Sequence, residues 1–306
     1  PRSEGPLAQA LAQKAGIEVH FVWPEHSKEQ LIQAFEKTLT AQDAPFPTFS
    51  ILAQNFVYEA ARAEGYKVLL GGQGGDEGFM GYRKFFLFQL RYLLAHKRYA
   101  ELAGFALGLA RLLSAEMYKL GLFWHNRQRY FGGPPQGNLR LPEARLTLGA
   151  NSSQAPWLRQ MLDVTRYSLP TLLRYEDRNS MGHSIESRLP FVDYRVLELG
   201  LALPVHLKLR HGYGKWALRQ VARGKIPESI RTARYKRGFD VTQSWLATGL
   251  GQHLQEQIQT AAPLLREVLN PQLNLAQTYT PAQMQQHPRL LAEAISLVWL
   301  ARRLKR

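Results

Sequence analysis

The sequence contains no cysteine among its 306 residues. This absence excludes disulfides, thiolate nucleophiles, Cys-ligated zinc and iron–sulfur clusters. It fits a reducing compartment, and we expect a cytoplasmic protein. Uncharged stretches of about 20 residues are also missing, since even the most apolar segment, 100–124, contains Glu101, Arg111, Glu116 and Lys119. We therefore expect no membrane span, and no secretory signal pattern follows Pro1.

The charge is unbalanced, with 39 Lys and Arg against 24 Asp and Glu, a net charge of +15. A nucleic-acid partner is one interpretation. A generally basic surface, or an acidic remainder of a longer chain, is the other. The sequence has no zinc-finger spacing, basic heptad arm or RNA-binding aromatic motif, so we expect no nucleic-acid partner. The 45% apolar content is typical of a globular protein, and the length allows one large domain or two small ones.

Periodicity predicts an α/β start to the chain. Helices are expected at 7–15, from Ser27 to about residue 39, and over 50–64, where Gly65 ends the last one. The alternation in 17–23 predicts a strand, and 66–70 reads as a buried strand. Strand, helix, strand and then a glycine-rich loop describe half of a doubly wound parallel unit.

The remainder of the chain is predicted to be mainly helical. A long helical pattern covers about 83–130, residues 131–156 read as a loop, and helical periodicity returns from about Leu158 with breaks at several prolines. We therefore divide the chain into an α/β part, 1–82, and a mainly helical part, 83–306.

The first candidate site is the segment VLLGGQGGDEG at 68–78. Four glycines after a buried strand allow the backbone to approach an anion closely. The adjacent Asp76 and Glu77 are candidate ligands for a divalent metal that bridges phosphates. The segment is neither a Walker loop nor a dinucleotide fingerprint. The alternative is a tight turn with exposed acids.

The second candidate is the charged segment 174–193, RYEDRNSMGHSIESRLPFVD. Gly182, Ser184 and Ser187 are weak helix formers, so the charges are not expected simply to decorate a helix. A polar network around a site is one interpretation, and a junction held by salt bridges is the other. His183 alone is expected to be structural.

The third candidate is RYKRGF at 234–239. Its cations beside a glycine suit a phosphate or pyrophosphate. A solvated basic loop is the alternative interpretation for this segment taken alone.

Together these segments resemble the synthetase domain of glutamine-dependent asparagine synthetases. The resemblance rests on VLLGGQGGDEGFMGY at 68–82, on the stretch 172–204, on 215–239 ending in Arg-x-Lys-x-Gly-Phe form, and on DAPF at 43–46. These motifs occur in the family's order and cover roughly residues 5–245.

The resemblance implies an adenine nucleotide alpha hydrolase-like (PP-loop ATPase) α/β fold with a large helical C-terminal part. It implies that ATP and Mg²⁺ activate a carboxylate, most simply aspartate, as an acyl-adenylate that ammonia attacks to give asparagine. The implied nucleotide-binding residues are Gly71, Gly72, Gly74, Asp76 and Lys236. Asp76 would hold magnesium, and Lys236 would stabilise charge on the α-phosphate and pyrophosphate. The implied pocket or support residues are Asp177, Glu186, Arg188 and Asp193.

The chain departs from the family pattern at three points. The family's Ser-Gly-Gly-x-Asp-Ser pyrophosphate loop and its glutaminase domain are expected upstream of residue 1, the glutaminase domain as a partner that supplies ammonia from glutamine. Gln73 replaces a glutamate that would accept a proton from ammonia, which an amide cannot do. Gly71 replaces Ser and Ala44 replaces Glu, which leaves the carboxylate substrate open.

Several alternatives remain at this point. A related amide ligase or cyclase acting on another carboxylate, as in β-lactam synthetases or macrolactam-forming enzymes, fits the same motifs. A non-catalytic protein that retains the motifs as a scaffold is a second alternative, and a homodimer is left open. The C-terminal segment 290–306 reads as a helix packed on the body, with a basic end that complements its dipole, in preference to a membrane-surface helix.

Overall fold

The computed structural model describes residues 4–23, 25–115, 138, 155–234 and 241–305, without the side chains of 112–115. Six helices occur in the first described part. They are α1 (Gly5–Ala15), α2 (Lys28–Gln42), α3 (Ser50–Ala63), α4 (Gly75–Gly78), α5 (Lys84–Ala95) and α6 (Tyr99–Ala115). The three helices predicted before residue 65 are thus confirmed. Gly65 follows α3 with φ of +86°, a left-handed conformation that favours glycine.

The second half of the chain is also helical, as expected. Its helices are α7 (Pro156–Leu162), α8 (Leu169–Gly182), α9 (Tyr194–Ala202), α10 (Val205–Lys208), α11 (Trp216–Val221), α12 (Glu228–Arg231), α13 (Thr242–Trp245), α14 (Gly251–Ala261), α15 (Leu275–Thr278), α16 (Pro281–Gln286) and α17 (Pro288–Leu304). Pro170 and Pro288 lie in the first turns of α8 and α17, where the missing proline N–H costs no hydrogen bond.

The sheet is small and parallel. Strand β1 (Val68–Leu70) pairs with β2 (Glu186–Arg188), with Val68 opposite Glu186 and Leu70 opposite Arg188. The sequence did not predict β2, because ESR carries no apolar strand pattern. The predicted strand at 17–23 is wrong: no strand of the described structure pairs with it. The expectation that β1 is buried is also wrong, because Leu70 is 75% exposed.

Local sequence explains how the first long helix begins. Ser27 accepts a hydrogen bond from the backbone N–H of Gln30 at 3.2 Å, and the Gln30 side chain accepts one from the backbone N–H of Ser27 at 2.8 Å. This reciprocal capping box satisfies two N–H groups that the helix itself leaves unpaired. It fixes the start of α2 at the residue that the sequence predicted.

The largest core lies between helices from the two ends of the chain. Its centre contains Leu31 and Phe35 of α2, Leu254 of α14, and Ile295 and Val298 of α17, all at most 1% exposed. The C-terminal helix therefore packs on the body of the protein, as predicted. None of the described helices combines the length and apolar character needed to cross a bilayer.

The sheet joins the two predicted parts of the chain, because β1 comes from 1–82 and β2 from 83–306. The proposed division at residue 82 stays a prediction. Of the long helical pattern from about residue 83, the described part forms α5 and α6. The remaining predictions for 116–154 lie outside the described residues, apart from Asn138.

Candidate active site

The glycine-rich turn (residues 71–74) lies at the carboxyl end of β1, where open parallel sheets bind ligands. The Gly71 N–H donates to the Arg188 carbonyl oxygen at 2.9 Å, which extends the pairing of the two strands by one residue. Gly74 has φ of +89°, and a Cβ there would lie 3.0 Å from Val192 Cγ2 and 3.2 Å from the Phe191 carbonyl oxygen. Both the conformation and the close approach require glycine.

Asp76 lies in α4, immediately after this turn, and forms an ion pair with Lys215. The distance from Lys215 Nζ to Asp76 Oδ1 is 2.9 Å, and both side chains are partly exposed. Gly81 allows this pair to form, because a Cβ at residue 81 would lie 1.8 Å from Asp76 Oδ1. Lys215 precedes α11 in the left-handed region, with φ of +53°. Sequence reasoning did not single out Lys215 as a site residue, although it is the first residue of the stretch 215–239 that carries the family resemblance.

Glu77 does not share a metal site with Asp76, so the interpretation of these two carboxylates as paired ligands is wrong. Glu77 is 1% exposed and accepts hydrogen bonds from Tyr82 at 2.5 Å and Ser168 at 2.9 Å. Consecutive residues of a helix point about 100° apart, so one acid faces the surface and the other the interior. No group of three or more His, Asp or Glu suited to a metal ion occurs among the described residues.

A buried amide, Gln160, donates hydrogen bonds to carbonyl oxygens of α4, and a buried lysine, Lys208, donates to that amide. Gln160 Nε2 donates to the carbonyl oxygens of Glu77 at 3.1 Å and Gly78 at 2.5 Å. Lys208 Nζ donates to Gln160 Oε1 at 2.7 Å and to the Gly200 carbonyl oxygen at 2.9 Å. Lys208 is 0% exposed, and burial lowers its pKa to about 8. Neither residue is marked by any pattern in the sequence.

Gln73 contacts a buried carboxylate that was not predicted as a site residue. Glu176, 5% exposed, accepts hydrogen bonds from Gln73 Nε2 at 3.3 Å and Gln54 Nε2 at 2.6 Å. It also accepts from the hydroxyls of Tyr58 at 2.5 Å and Ser187 at 3.0 Å. Burial and the contact with Glu176 raise the pKa of Tyr58, so this phenol stays a donor.

The four predicted support residues lie on or near α8 and β2. Asp177 is exposed on α8. The charged segment is helical as far as Gly182, as the helical periodicity from about Leu158 predicts. Glu186 and Arg188 form an exposed pair at 2.8 Å on β2. The segment is thus a helix, a turn and a strand. Glu186 and Arg188 pair with each other, whereas Glu176 is bonded to neutral groups.

Asp193 caps α9 by accepting from the backbone N–H of Arg195 at 2.9 Å. It also forms an ion pair with the Arg195 guanidinium at 2.7 Å. These bonds lower the pKa of Asp193 to about 2. Asp193 borders an open cavity of about 430 Å³, whose other lining residues are Leu173, Glu176, Asp177, Ser187, Leu189 and Val192. The structure therefore brings Asp177 and Asp193 to one pocket beside Glu176.

Two further predictions concern single residues. His183 Nε2 lies 2.8 Å from Asn55 Oδ1, and burial lowers the pKa of His183, in agreement with a structural role. Arg234 Cζ lies 4.5 Å from the centre of the Tyr213 ring, a cation–π contact. Tyr213 precedes Lys215 by two residues, so Arg234 lies near the chain segment that carries this lysine. Lys236 lies outside the described residues, so its predicted position stays a prediction.

Comparison with known proteins identifies a family and several similar proteins. Residues 1–301 match the family model described as asparagine synthase. The chain is 25% identical over 282 residues to asparagine synthetase (glutamine-hydrolyzing) 1 of Bacillus subtilis, a match that covers 84% of this chain and 43% of that protein. It is also 25% identical to amidase chry2 of Gibberella zeae and to amidase chyE of Penicillium rubens, over 68% of this chain and 36% of each relative. The chain thus spans less than half the length of these relatives.

Proposed function

Because the chain belongs to the asparagine synthase family, we propose that it is the synthetase part of an ATP-dependent amide ligase. In this reaction a carboxylate attacks the α-phosphorus of ATP, pyrophosphate leaves, and a nitrogen nucleophile then displaces AMP from the acyl-adenylate. The observation that carries the proposal is the glycine-rich turn at the carboxyl end of β1 with the Asp76–Lys215 pair beside it. This arrangement combines close backbone approach, a carboxylate and a cation.

The backbone of the turn is the proposed nucleotide contact. A Cβ at Gly72 would meet nothing within 4 Å, so the backbone there is open on the side where a Cβ would lie. Unpaired backbone N–H groups in a turn favour anions such as phosphate. Gly72 and Gly74 are therefore proposed to contact the nucleotide through their backbone, and Gly71, whose N–H donates to Arg188, is proposed to line it.

The donor set at Asp76 fits a magnesium ion carried by a nucleotide. Mg²⁺ is usually bound through one or two carboxylates together with phosphate oxygens and water, and Asp76 provides one partly exposed carboxylate. When bound, magnesium supplies charge neutralisation for the leaving pyrophosphate. Lys215 Nζ pairs with Asp76. We propose that it binds a phosphate oxygen instead when the nucleotide is present.

The other site roles come from the family resemblance. Lys236 is proposed to stabilise the α-phosphate and pyrophosphate, and Lys236→Ala should abolish adenylate formation while the fold remains. Asp177 and Asp193 border the pocket beside Glu176 and are proposed to shape the carboxylate site. Glu186 and Arg188 are proposed to support it through β2.

The carboxylate is proposed to be aspartate and the product asparagine, with ammonia from glutamine in the whole protein. Support comes from the similarity to the Bacillus subtilis asparagine synthetase. An amide ligase for another carboxylate is the second candidate. Gln73 in place of the family's Glu, together with the two relatives named as amidases, favours this candidate.

The test is pyrophosphate release by the full-length protein with ATP, Mg²⁺ and a panel of carboxylic acids. Aspartate-dependent release supports asparagine formation, and release only with another acid supports the second candidate. Asp76→Asn serves as the inactive control, and the exposed Lys225→Met should behave like the parent. Failure to release pyrophosphate with every acid would contradict the ligase proposal and leave a non-catalytic binding protein.

A further inference from the structure

Glu176 is a buried carboxylate in the matching stretch 172–204, and the resemblance assigns it no role. Its four hydrogen-bond donors, Gln54, Tyr58, Gln73 and Ser187, are all neutral. They come from α3, the glycine-rich turn and β2, whereas Glu176 itself lies on α8. A buried carboxylate is stable only when its oxygens are hydrogen-bonded, so this residue organises the surrounding elements around one negative charge.

The contact with Gln73 fixes the orientation of its carboxamide. The amide nitrogen must face Glu176, since the reverse orientation would place the amide oxygen against a carboxylate oxygen that accepts only. The nitrogen and oxygen of an amide lie on opposite sides of the same carbon, so Gln73 Oε1 is turned away from Glu176. The rest of the glycine-rich turn and Asp76 follow Gln73 in the chain.

The same contact makes glutamate unfavourable at position 73. A carboxylate there would replace the nitrogen that lies 3.3 Å from Glu176 Oε2 and would face a buried charge of the same sign. Like charges at this distance disfavour each other strongly when water is largely excluded. Glu176 also limits position 71, because a Cβ on Gly71 would lie 3.0 Å from Glu176 Oε1 and 2.5 Å from Leu189 Cδ2. Gln73 thus contacts Glu176, and any side chain at position 71 would also meet it.

We infer that Glu176 is a positioning residue with two effects. Its carboxylate lies against the glycine-rich turn, and its contact with Gln73 Nε2 presents Gln73 Oε1 as a hydrogen-bond acceptor to the incoming nitrogen nucleophile. The inference rests on the proposed amide-ligase function for its second half. An acceptor at this position binds an N–H of ammonia or of an amine and leaves the nitrogen lone pair free to attack. Adenylation of the carboxylate precedes this contact and does not need it.

The first experiment measures the coupling between the two positions without any substrate. Urea unfolding is followed for Gln73→Glu, Glu176→Gln and the double variant. At pH 7, Gln73→Glu should lower the folding equilibrium constant by at least about tenfold in the parent and by much less in the Glu176→Gln background. Additive effects of the two substitutions would overturn the inference.

The second experiment separates the two chemical steps in the full-length protein. Glu176 also lines the pocket proposed for the carboxylate, so carboxylate-dependent ATP–pyrophosphate exchange is the internal reference for this variant. Glu176→Gln should slow amide formation about ten- to a hundredfold more than it slows exchange, the range expected for losing one hydrogen bond to a charged group. The exposed Glu198→Gln on α9 is the matched control and should affect neither step.

The double variant, Gln73→Glu with Glu176→Gln, distinguishes a positioning role from a purely structural one. A purely structural role would not lead to recovery of amide formation in this variant. The double variant exchanges the two side chains and restores a hydrogen bond between a carboxylate and an amide with the donor reversed, so amide formation should recover relative to Glu176→Gln alone. An equal loss of exchange and amide formation in Glu176→Gln, with no recovery in the double variant, would contradict the inference. Absence of exchange in the parent would contradict the proposed function instead, while the unfolding experiment would still decide the coupling.

Discussion

Replacement of Lys208 by Met tests the buried support of the α4 turn. The substitution removes Nζ and keeps an apolar side chain of comparable length. Gln160 Oε1 and the Gly200 carbonyl oxygen then lose a buried donor, and each buried acceptor left unsatisfied costs about 1–3 kcal/mol. Removal of a desolvated ammonium offsets part of this cost. We expect a net loss of about 1–4 kcal/mol in the free energy of unfolding at pH 7.

The dependence on pH follows from the lowered pKa of Lys208. Burial lowers this pKa from 10.5 to about 8, so the unfolded chain keeps the proton over a range in which the folded protein releases it. Stability rises with pH wherever the unfolded state binds more protons. Relative to Lys208→Met, the parent should therefore gain stability between about pH 8 and pH 10.5 and show a constant difference below pH 8.

Urea unfolding of both proteins from pH 6 to pH 10, followed by circular dichroism, measures this difference directly. The exposed Lys225→Met should stay within about 0.5 kcal/mol of the parent at all pH values. A parent that loses stability relative to Lys208→Met above pH 8, or an unchanged free energy of unfolding at pH 7, would refute the reasoning.

Three other outcomes are expected. Asp76→Asn and Lys215→Met should each abolish pyrophosphate exchange while the circular dichroism spectrum stays unchanged, because both side chains are partly exposed; retained exchange in Asp76→Asn would remove it from the site. Gly74→Ala should lower the melting temperature by an amount equivalent to about 1–3 kcal/mol, since its φ of +89° and its contact with Phe191 are strained for alanine, whereas Gly72→Ala should change stability little. Asp193 has a folded pKa of about 2, so its stabilisation is present above pH 4 and is lost as pH falls towards 2; the melting temperatures of the parent and Asp193→Asn should converge over that range.

The sequence predicted the features that depend on local pattern. Ser27 begins α2, Gly65 ends α3, and the glycine-rich turn follows β1, because capping, left-handed glycine and strand-end turns are encoded within a few residues. The glycine-rich sequence also indicated that Asp76 follows the carboxyl end of β1. Such patterns depend on neighbouring residues in the chain, so they can be interpreted without knowledge of the tertiary structure.

Features that depend on distant partners could not be predicted in this way. The segment 17–23 alternates like a strand, yet a strand needs a hydrogen-bonded neighbour, and none pairs with it in the described structure. Strand β2 is a strand because it pairs with β1, over a hundred residues earlier in the chain. Lys215 and Glu176 join the site through contacts with Asp76 and Gln73, and no periodicity marks such partners.

The nucleotide product of the full-length protein tests the central claim most directly. An enzyme that adenylates its carboxylate forms AMP and pyrophosphate with each amide. We therefore predict AMP in a one-to-one ratio to amide product, and loss of both in Asp76→Asn. Formation of ADP and inorganic phosphate would contradict the proposed adenylation. Equal AMP formation by the parent and by Asp76→Asn would contradict the role of Asp76 in it.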